Sequence, residues 1–187
     1  MKIATWNVNS VRTRLPTITQ WLEKARPDVA CLQEIKCQDD QFPRAAFEDL
    51  GYNCAVHGQK SYNGVALLSK YEIEDCTTSL PGDDADKQAR YLEAVLSAPG
   101  GPVRVASIYL PNGNPKGTDK FTYKLHWMAR LHAHAKAVLA LEEKTVLAGD
   151  YNVIYRDVDW GPGGMERRCA ICQRGARRLR GAFVAGL

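Results

Sequence analysis

Three observations predict an α/β fold. Short apolar runs of strand length alternate with segments of helical periodicity and hairpin-like turns, the pattern of a layered sheet-and-helix domain. Three of the apolar runs end in polar residues: Lys2-Ile-Ala-Thr-Trp-Asn7, Asp28-Val-Ala-Cys-Leu-Gln-Glu34 and Thr145-Val-Leu-Ala-Gly149-Asp150-Tyr-Asn152. At 187 residues the chain is long enough to bury a core as one domain.

Lys2–Asn7 is the first strand. Leu15, Ile18, Trp21, Leu22 and Ala25 recur at helical spacing, and Arg26-Pro27-Asp28 ends that helix. Val29–Leu32 is a buried strand. Pro43 to Leu50 is a short helix that stops at Gly51. Asn53–His57 and Val65–Ser69 read as paired strands around the turn at 59–64. Pro81 to Lys87, with three Asp, is a solvated loop. Arg90–Ser97 and Val103–Tyr109 form a hairpin closed by Ala98-Pro-Gly-Gly-Pro102, where Gly and Pro force a turn. Phe121 to Leu141 is a long helix with Tyr123, Trp127, Leu131 and Ala135 down one face. His126, His132 and His134 lie on it, but their spacing does not form one stripe, so they are helix-surface residues. Thr145–Gly149 is the last strand. No internal repeat shows in the sequence.

Composition sets bounds without naming a partner. Hydrophobic content of 45% and charged content of 25% are those of an ordinary globular protein. No apolar run is long enough to span a bilayer. The first candidate catalytic strand begins at Lys2, which leaves no room for a signal peptide, so a cytoplasmic location is expected; a monomer without membrane contact is expected as well. The net charge of +4 is uneven: residues 156–187 hold seven Arg and three acids, so residues 1–155 balance to zero. Nucleic-acid binding must therefore be argued from a site and not from the overall charge. Of the six Cys, Cys31 sits among apolar neighbours as a core residue. Cys169-x-x-Cys172 is either half a zinc site or an accidental pair, and no second Cys or His pair follows it.

The strand ends carry the chemistry. Asp150 and Asn152 stand two residues apart, on one face of an extended chain. A buried strand that delivers polar groups to its C-terminal mouth marks a site more than a packing surface. Asn7, Glu34, Asp150 and Asn152 are hard oxygen donors, the set that suits Mg²⁺, with Mn²⁺ as a substitute.

Five segments together resemble the exonuclease III family of apurinic/apyrimidinic (AP) endonucleases. They are Thr5-Trp6-Asn7-Val8-Asn9-Ser10-Val11-Arg12, Leu32-Gln33-Glu34-Ile35-Lys36, Tyr62-Asn63-Gly64-Val65, Ile108-Tyr109-Leu110-Pro111-Asn112-Gly113 and Gly149-Asp150-Tyr151-Asn152-Val153. They come in the family's order and spacing, and the resemblance runs from Met1 to about Ile154. It implies a truncated four-layer α/β sandwich of the DNase I type, with the first sheet largely present and the second cut short. It also implies Mg²⁺-dependent cleavage of duplex DNA 5′ to abasic sites, with 3′→5′ exonuclease action at 3′ ends. By the same resemblance Glu34 is a metal ligand, and Asp150 orients or deprotonates the attacking water. Asn152 hydrogen-bonds the phosphate, and Tyr109 stabilises the phosphate or carries a proton. Asn112 contacts the scissile region. Lys36, Tyr62, Asn63 and Arg90 touch the DNA backbone, and each is equally readable as a surface or supporting residue.

The family's later motifs, an Arg-Ile-Asp-type strand and a Ser-Asp-His motif whose His–Asp pair polarises the phosphate, do not occur in the 187 residues. The chain thus reads as residues 1–154 of partial nuclease domain and residues 155–187 of divergent basic tail, without a stable packed structure. The tail is a disordered arm, a basic nucleic-acid tail or, the reading that fits best, a frameshift product. Read one nucleotide downstream, Met165-Glu166 forces a Trp codon. Permitted codons from Gly161 then decode as Asp-Pro-Ala-Ala-Trp-Ser-Asp-Asp-Ala-Leu-Phe, similar to the segment that follows Gly-Asp-x-Asn in the family. The lineage function is then a DNA repair nuclease impaired in this chain. Its rivals are a remnant that binds metal or DNA weakly and a related phosphatase acting on a small phosphorylated ligand.

Overall fold

A computed structural model describes residues 1–153. The strands are β1 (Ile3–Asn7), β2 (Val29–Gln33), β3 (Asn53–His57), β4 (Val65–Ser69), β5 (Ile73–Thr77), β6 (Tyr91–Leu96), β7 (Val103–Tyr109) and β8 (Thr145–Asp150). The helices are α1 (Leu15–Ala25), α2 (Arg44–Glu48) and α3 (Asp119–Leu139), with a single 3₁₀ turn at Asp39–Gln41. Residues 1–109 with 142–150 form one compact unit; residues 110–141 and 151–153 belong to a second. The expectations for the tail at 155–187 fall outside the described residues.

The first unit is built on two four-stranded sheets, ordered β1-β2-β4-β3 and β5-β6-β7-β8. They share one plan. β1 runs parallel to β2, which is antiparallel to β4, which is antiparallel to β3. From the other end, β8 runs parallel to β7, which is antiparallel to β6, which is antiparallel to β5. This repeat lies in pairing geometry and leaves no trace in the residue order. Each parallel pair brings two strand C-termini to the same end of its sheet.

Alternation decides which face each residue supplies. All five residues of β2 are buried. Ala30 and Leu32 join a cluster with Ile18 and Leu22 of α1 and Phe47 of α2, so both helices cover that face of the first sheet. Val29 and Cys31 face the other way and pack with Leu67, Leu92, Ala94 and Val105, where the two sheets meet. Burying each Leu or Val side chain contributes about 1.5–3 kcal/mol. A polar seam crosses this core: Gln33 Nε2 donates to Ser107 Oγ at 3.1 Å, and Ser107 Oγ donates to the Leu32 carbonyl at 3.2 Å.

α1 has the bounds its apolar spacing predicts. Its last turn closes on Arg26, which adopts a left-handed φ of 46° while its N–H bonds the Leu22 carbonyl, and Pro27 prevents continuation. The sequence gives no sign of β5. Ile-Glu-Asp-Cys-Thr lacks apolar alternation because the strand is a mostly exposed edge, bulged between Ile73 and Asp75. Charges there blunt an edge that would otherwise pair with another chain. No helix among the described residues is long and apolar enough to cross a membrane.

The second unit is described through α3 and its loops. The apolar face of α3 predicted from Trp127 and Leu131 is buried, together with Met128 and Val138. So is Lys124, which apolar periodicity cannot flag.

Candidate active site

The two parallel pairs set the site of the first unit. Asn7, the last residue of β1, pairs in register with Gln33, and Glu34 follows directly. Tyr109, the last residue of β7, pairs with Asp150, the last of β8. The chain turns sharply after β2: Glu34 and Lys36 both take a φ of 52°, in the left-handed region that bulky residues rarely adopt. The turn is held from both sides. Ser10 N–H donates to the Glu34 carbonyl at 2.7 Å and Val11 N–H to the Ile35 carbonyl at 3.1 Å. Opposite, Ile35 N–H donates to the Gly64 carbonyl at 3.1 Å and Lys36 N–H to the Asn63 carbonyl at 3.0 Å. Gly64 is required there, since its φ is 84° and an added Cβ would lie 2.5 Å from Ile35 Cγ1. Strain that the surroundings hold in place is a mark of functional sites.

Asn7 joins the two acids. Its Nδ2 donates to Glu34 Oε1 and to Asp150 Oδ2, each at 2.8 Å. Its Oδ1 accepts from Asn9 N–H at 3.1 Å. Asn7 therefore presents its amide nitrogen to both carboxylates and aligns them. Glu34 Oε2 pairs with Lys36 Nζ at 3.0 Å, and Lys36 Nζ also donates to Asn9 Oδ1. Partial burial pushes the Glu34 carboxyl up. Hydrogen bonds from Asn7, Lys36 and Tyr109, with the Lys36 charge, more than offset this and hold it below its ordinary value. The Tyr109 phenol is pushed up, first by burial, then by its hydrogen bond to Glu34 and the charge of that carboxylate. It remains a proton donor well into the alkaline range. Two carboxylates gathered about one amide, with a phenol alongside, form a preorganised anionic mouth suited to a divalent cation.

The proposed DNA contacts separate by environment. Tyr62 is exposed, at 58%. Asn63 is not a surface contact: it is 4% exposed, and its Nδ2 donates to Gln59 Oε1 at 3.0 Å and Gln88 Oε1 at 3.2 Å. Its left-handed φ of 55° shapes the turn beside Lys36. Arg90 lies with its guanidinium 4.9 Å from the Tyr109 ring centre, and it donates to Gln88 Oε1 at 2.8 Å. Both side chains support neighbours. Asn9 is a site residue that spacing did not single out; its signal was the second amide of Asn7-Val-Asn9.

The second unit carries Asn112 and Asn152. Asn112 is exposed, and its Oδ1 accepts from Asn114 N–H at 3.1 Å. Asn152 has a left-handed φ of 46°, and its Nδ2 donates to the Leu110 carbonyl at 2.9 Å. Among the described residues no group of three or more His, Cys, Asp and Glu gathers in metal-ligating range.

The model of the Endonuclease/Exonuclease/phosphatase family matches residues 4–165. The chain belongs to that family. The sequence alone ends the resemblance at about Ile154; the family match continues to residue 165. Within the family the likeness is to exonuclease III-type members. Exodeoxyribonuclease III of Haemophilus influenzae is 35% identical over 169 residues, which cover 90% of this chain and 63% of that protein. The structure of a 3′ phosphatase, NExo from Neisseria, bound to a product DNA hairpin, superposes with a TM-score of 0.89 at 35% identity, covering all of this chain and 71% of that one. An AP endonuclease from Archaeoglobus fulgidus gives 0.88 at 32%, again covering all of this chain and 71% of that one. The DNase I-like α/β sandwich expected from the motifs is the fold these family members share with it. The chain spans about three fifths of the length of the curated relatives it matches.

Proposed function

We propose that this chain carries the metal-organising half of a DNA repair nuclease, which hydrolyses phosphodiester bonds 5′ to abasic sites and at the 3′ ends of duplex DNA. The observation that carries the proposal is the Asn7 amide bridging Glu34 and Asp150 at 2.8 Å each, at the C-terminal mouths of β1, β2 and β8. Glu34 and Asp150 would hold Mg²⁺, or Mn²⁺ in its place, with Asn7 aligning them and Asn152 a further oxygen donor. The hard oxygen set fits such an ion. A bound ion would neutralise phosphate charge and favour ionisation of a water. Asp150 would orient that water and accept its proton, Tyr109 would donate to the phosphate or leaving oxygen, and Asn152 would hydrogen-bond the transition state. Tyr62, Lys36 and Asn112 remain the candidates for DNA contact.

The family's Ser-Asp-His motif is missing from the 187 residues. Losing one preorganised electrostatic group costs roughly 10²–10³ in rate, so slow turnover is expected. The test is incision of a synthetic abasic duplex by the 187-residue chain, purified free of host nucleases. Mg²⁺-dependent incision at least about 10²-fold slower than a full-length relative, lost in Glu34→Gln, is the expected result. Absence of metal-dependent incision would favour a non-catalytic remnant, and incision indifferent to Glu34→Gln would overturn the site assignment. Likeness to the Neisseria protein named a 3′ phosphatase favours one further reading, removal of a terminal 3′ phosphate. A 3′-phosphorylated hairpin in the same assay separates the two.

A further inference from the structure

We propose that Lys124 of α3 is a positioning residue that fixes Asn152 and the Leu110–Gly113 loop. The inference rests on the reading of Asn152 as the group that hydrogen-bonds the phosphate. Lys124 is 0% exposed, within a stripe whose other members include Trp127, Met128 and Leu131. A Leu or Met would fill that stripe without the desolvation cost of an ammonium, so packing alone does not account for a lysine. What the ammonium does is bond two loops. Nζ donates to the Asn152 carbonyl at 2.7 Å and to the Asn112 carbonyl at 3.2 Å. Both acceptors belong to residues that the family motifs place at the reaction.

The arrangement clamps Asn152 at two points. Its carbonyl is held by Lys124, and its side-chain amide donates to the Leu110 carbonyl at 2.9 Å. The loop that supplies Leu110 is itself tied to Lys124 through Asn112. Fixing one N–H of a planar amide on Leu110 sets the direction of the other. Asn152 also has a φ of 46°, a backbone state that needs outside support. The lysine stem is gripped in turn: a Cβ added at Gly113, whose φ is 73°, would stand 2.6 Å from Lys124 Cδ. Lys124 thus acts through Asn152 rather than on the phosphate.

The test reads Asn152 order directly. In the ¹⁵N-labelled chain, the heteronuclear NOE of the Asn152 side-chain amide, assigned by its loss in Asn152→Ala, should be that of a rigid group. Lys124→Met keeps the stem and removes the donors. It should drop the NOE to that of exposed Asn side chains and lower the incision rate roughly 10²-fold through kcat, as misplacement of a reacting group does. Lys124→Arg, which keeps donors, should restore much of the NOE and of the rate. Gly113→Ala reaches the same lysine by displacing its stem, and it decides the matter where Lys124→Met does not fold: it too should loosen Asn152. An unchanged NOE in the folded variant overturns the proposal. If the parent chain shows no incision, the reading of the site as a nuclease fails, while the NOE comparison still decides what Lys124 does.

Discussion

Asn7 holds two carboxylates with one amide nitrogen, and Lys36 adds a positive charge to one of them. This makes a pH prediction. The Glu34 carboxyl lies below its ordinary value of 4.5 in the folded chain, so folding favours its charged form. The stability it contributes is complete above that ordinary value and is lost as the pH falls through the lower folded value. Urea unfolding followed from neutral pH downward should show a loss of stability below about pH 4.5 that Glu34→Gln reduces, with both proteins parallel at higher pH; identical acid profiles would mean that the contacts around Glu34 do not bias its protonation. At this scale the sequence was legible where a motif ends a strand. Asn7, Glu34 and Asp150 follow from apolar runs and their last residues, and Tyr109 from its resemblance to the family's Tyr-Leu-Pro-Asn-Gly motif. The roles of Asn63 and Arg90 were not legible, because burial of one and stacking of the other depend on Gln59, Gln88 and Tyr109. Nor was Lys124, since a lysine in an apolar stripe looks like a break in the pattern until its carbonyl partners are known.

Among the elements, β8 depends on a close approach. Gly149 pairs with Ile108 of β7, and a Cβ on Gly149 would lie 2.0 Å from the Ile108 carbonyl oxygen and 2.7 Å from its carbonyl carbon. Those are backbone atoms and cannot swing aside. Gly149→Ala should therefore separate β8 from β7 just before Asp150, destabilise the chain by about 2–4 kcal/mol and shift the unfolding midpoint accordingly. A loss under about 0.5 kcal/mol, the range of ordinary surface substitutions, would show that the strands can part there without cost. The element order read from the sequence agrees with the structure wherever apolar spacing sets the element, as in α1, β2, β6 and β7. It missed β5 because an exposed edge strand carries no such spacing. The Gly149 requirement was visible only as a glycine in a strand, a sign of close backbone approach without a named partner.

In the first unit, the two sheets meet over Val29, Cys31, Leu67, Leu92 and Val105 and set the C-terminal ends of two parallel pairs around Asn7. The layered α/β class was readable from strands alternating with helices, and the sandwich followed from the resemblance that the motifs carry. The matched plan of the two sheets was not, because it is a relation between hydrogen-bonded ladders that no residue pattern records. The claim on which the functional account turns is that Glu34 and Asp150, aligned by Asn7, hold a divalent cation. Anomalous diffraction from crystals of the chain soaked in Mn²⁺ tests this most directly. The account predicts a peak bound by the Glu34 and Asp150 carboxylates, absent from Glu34→Gln crystals soaked in the same way. Mn²⁺ bound only elsewhere, with both carboxylates ordered and still bridged by Asn7, would contradict it.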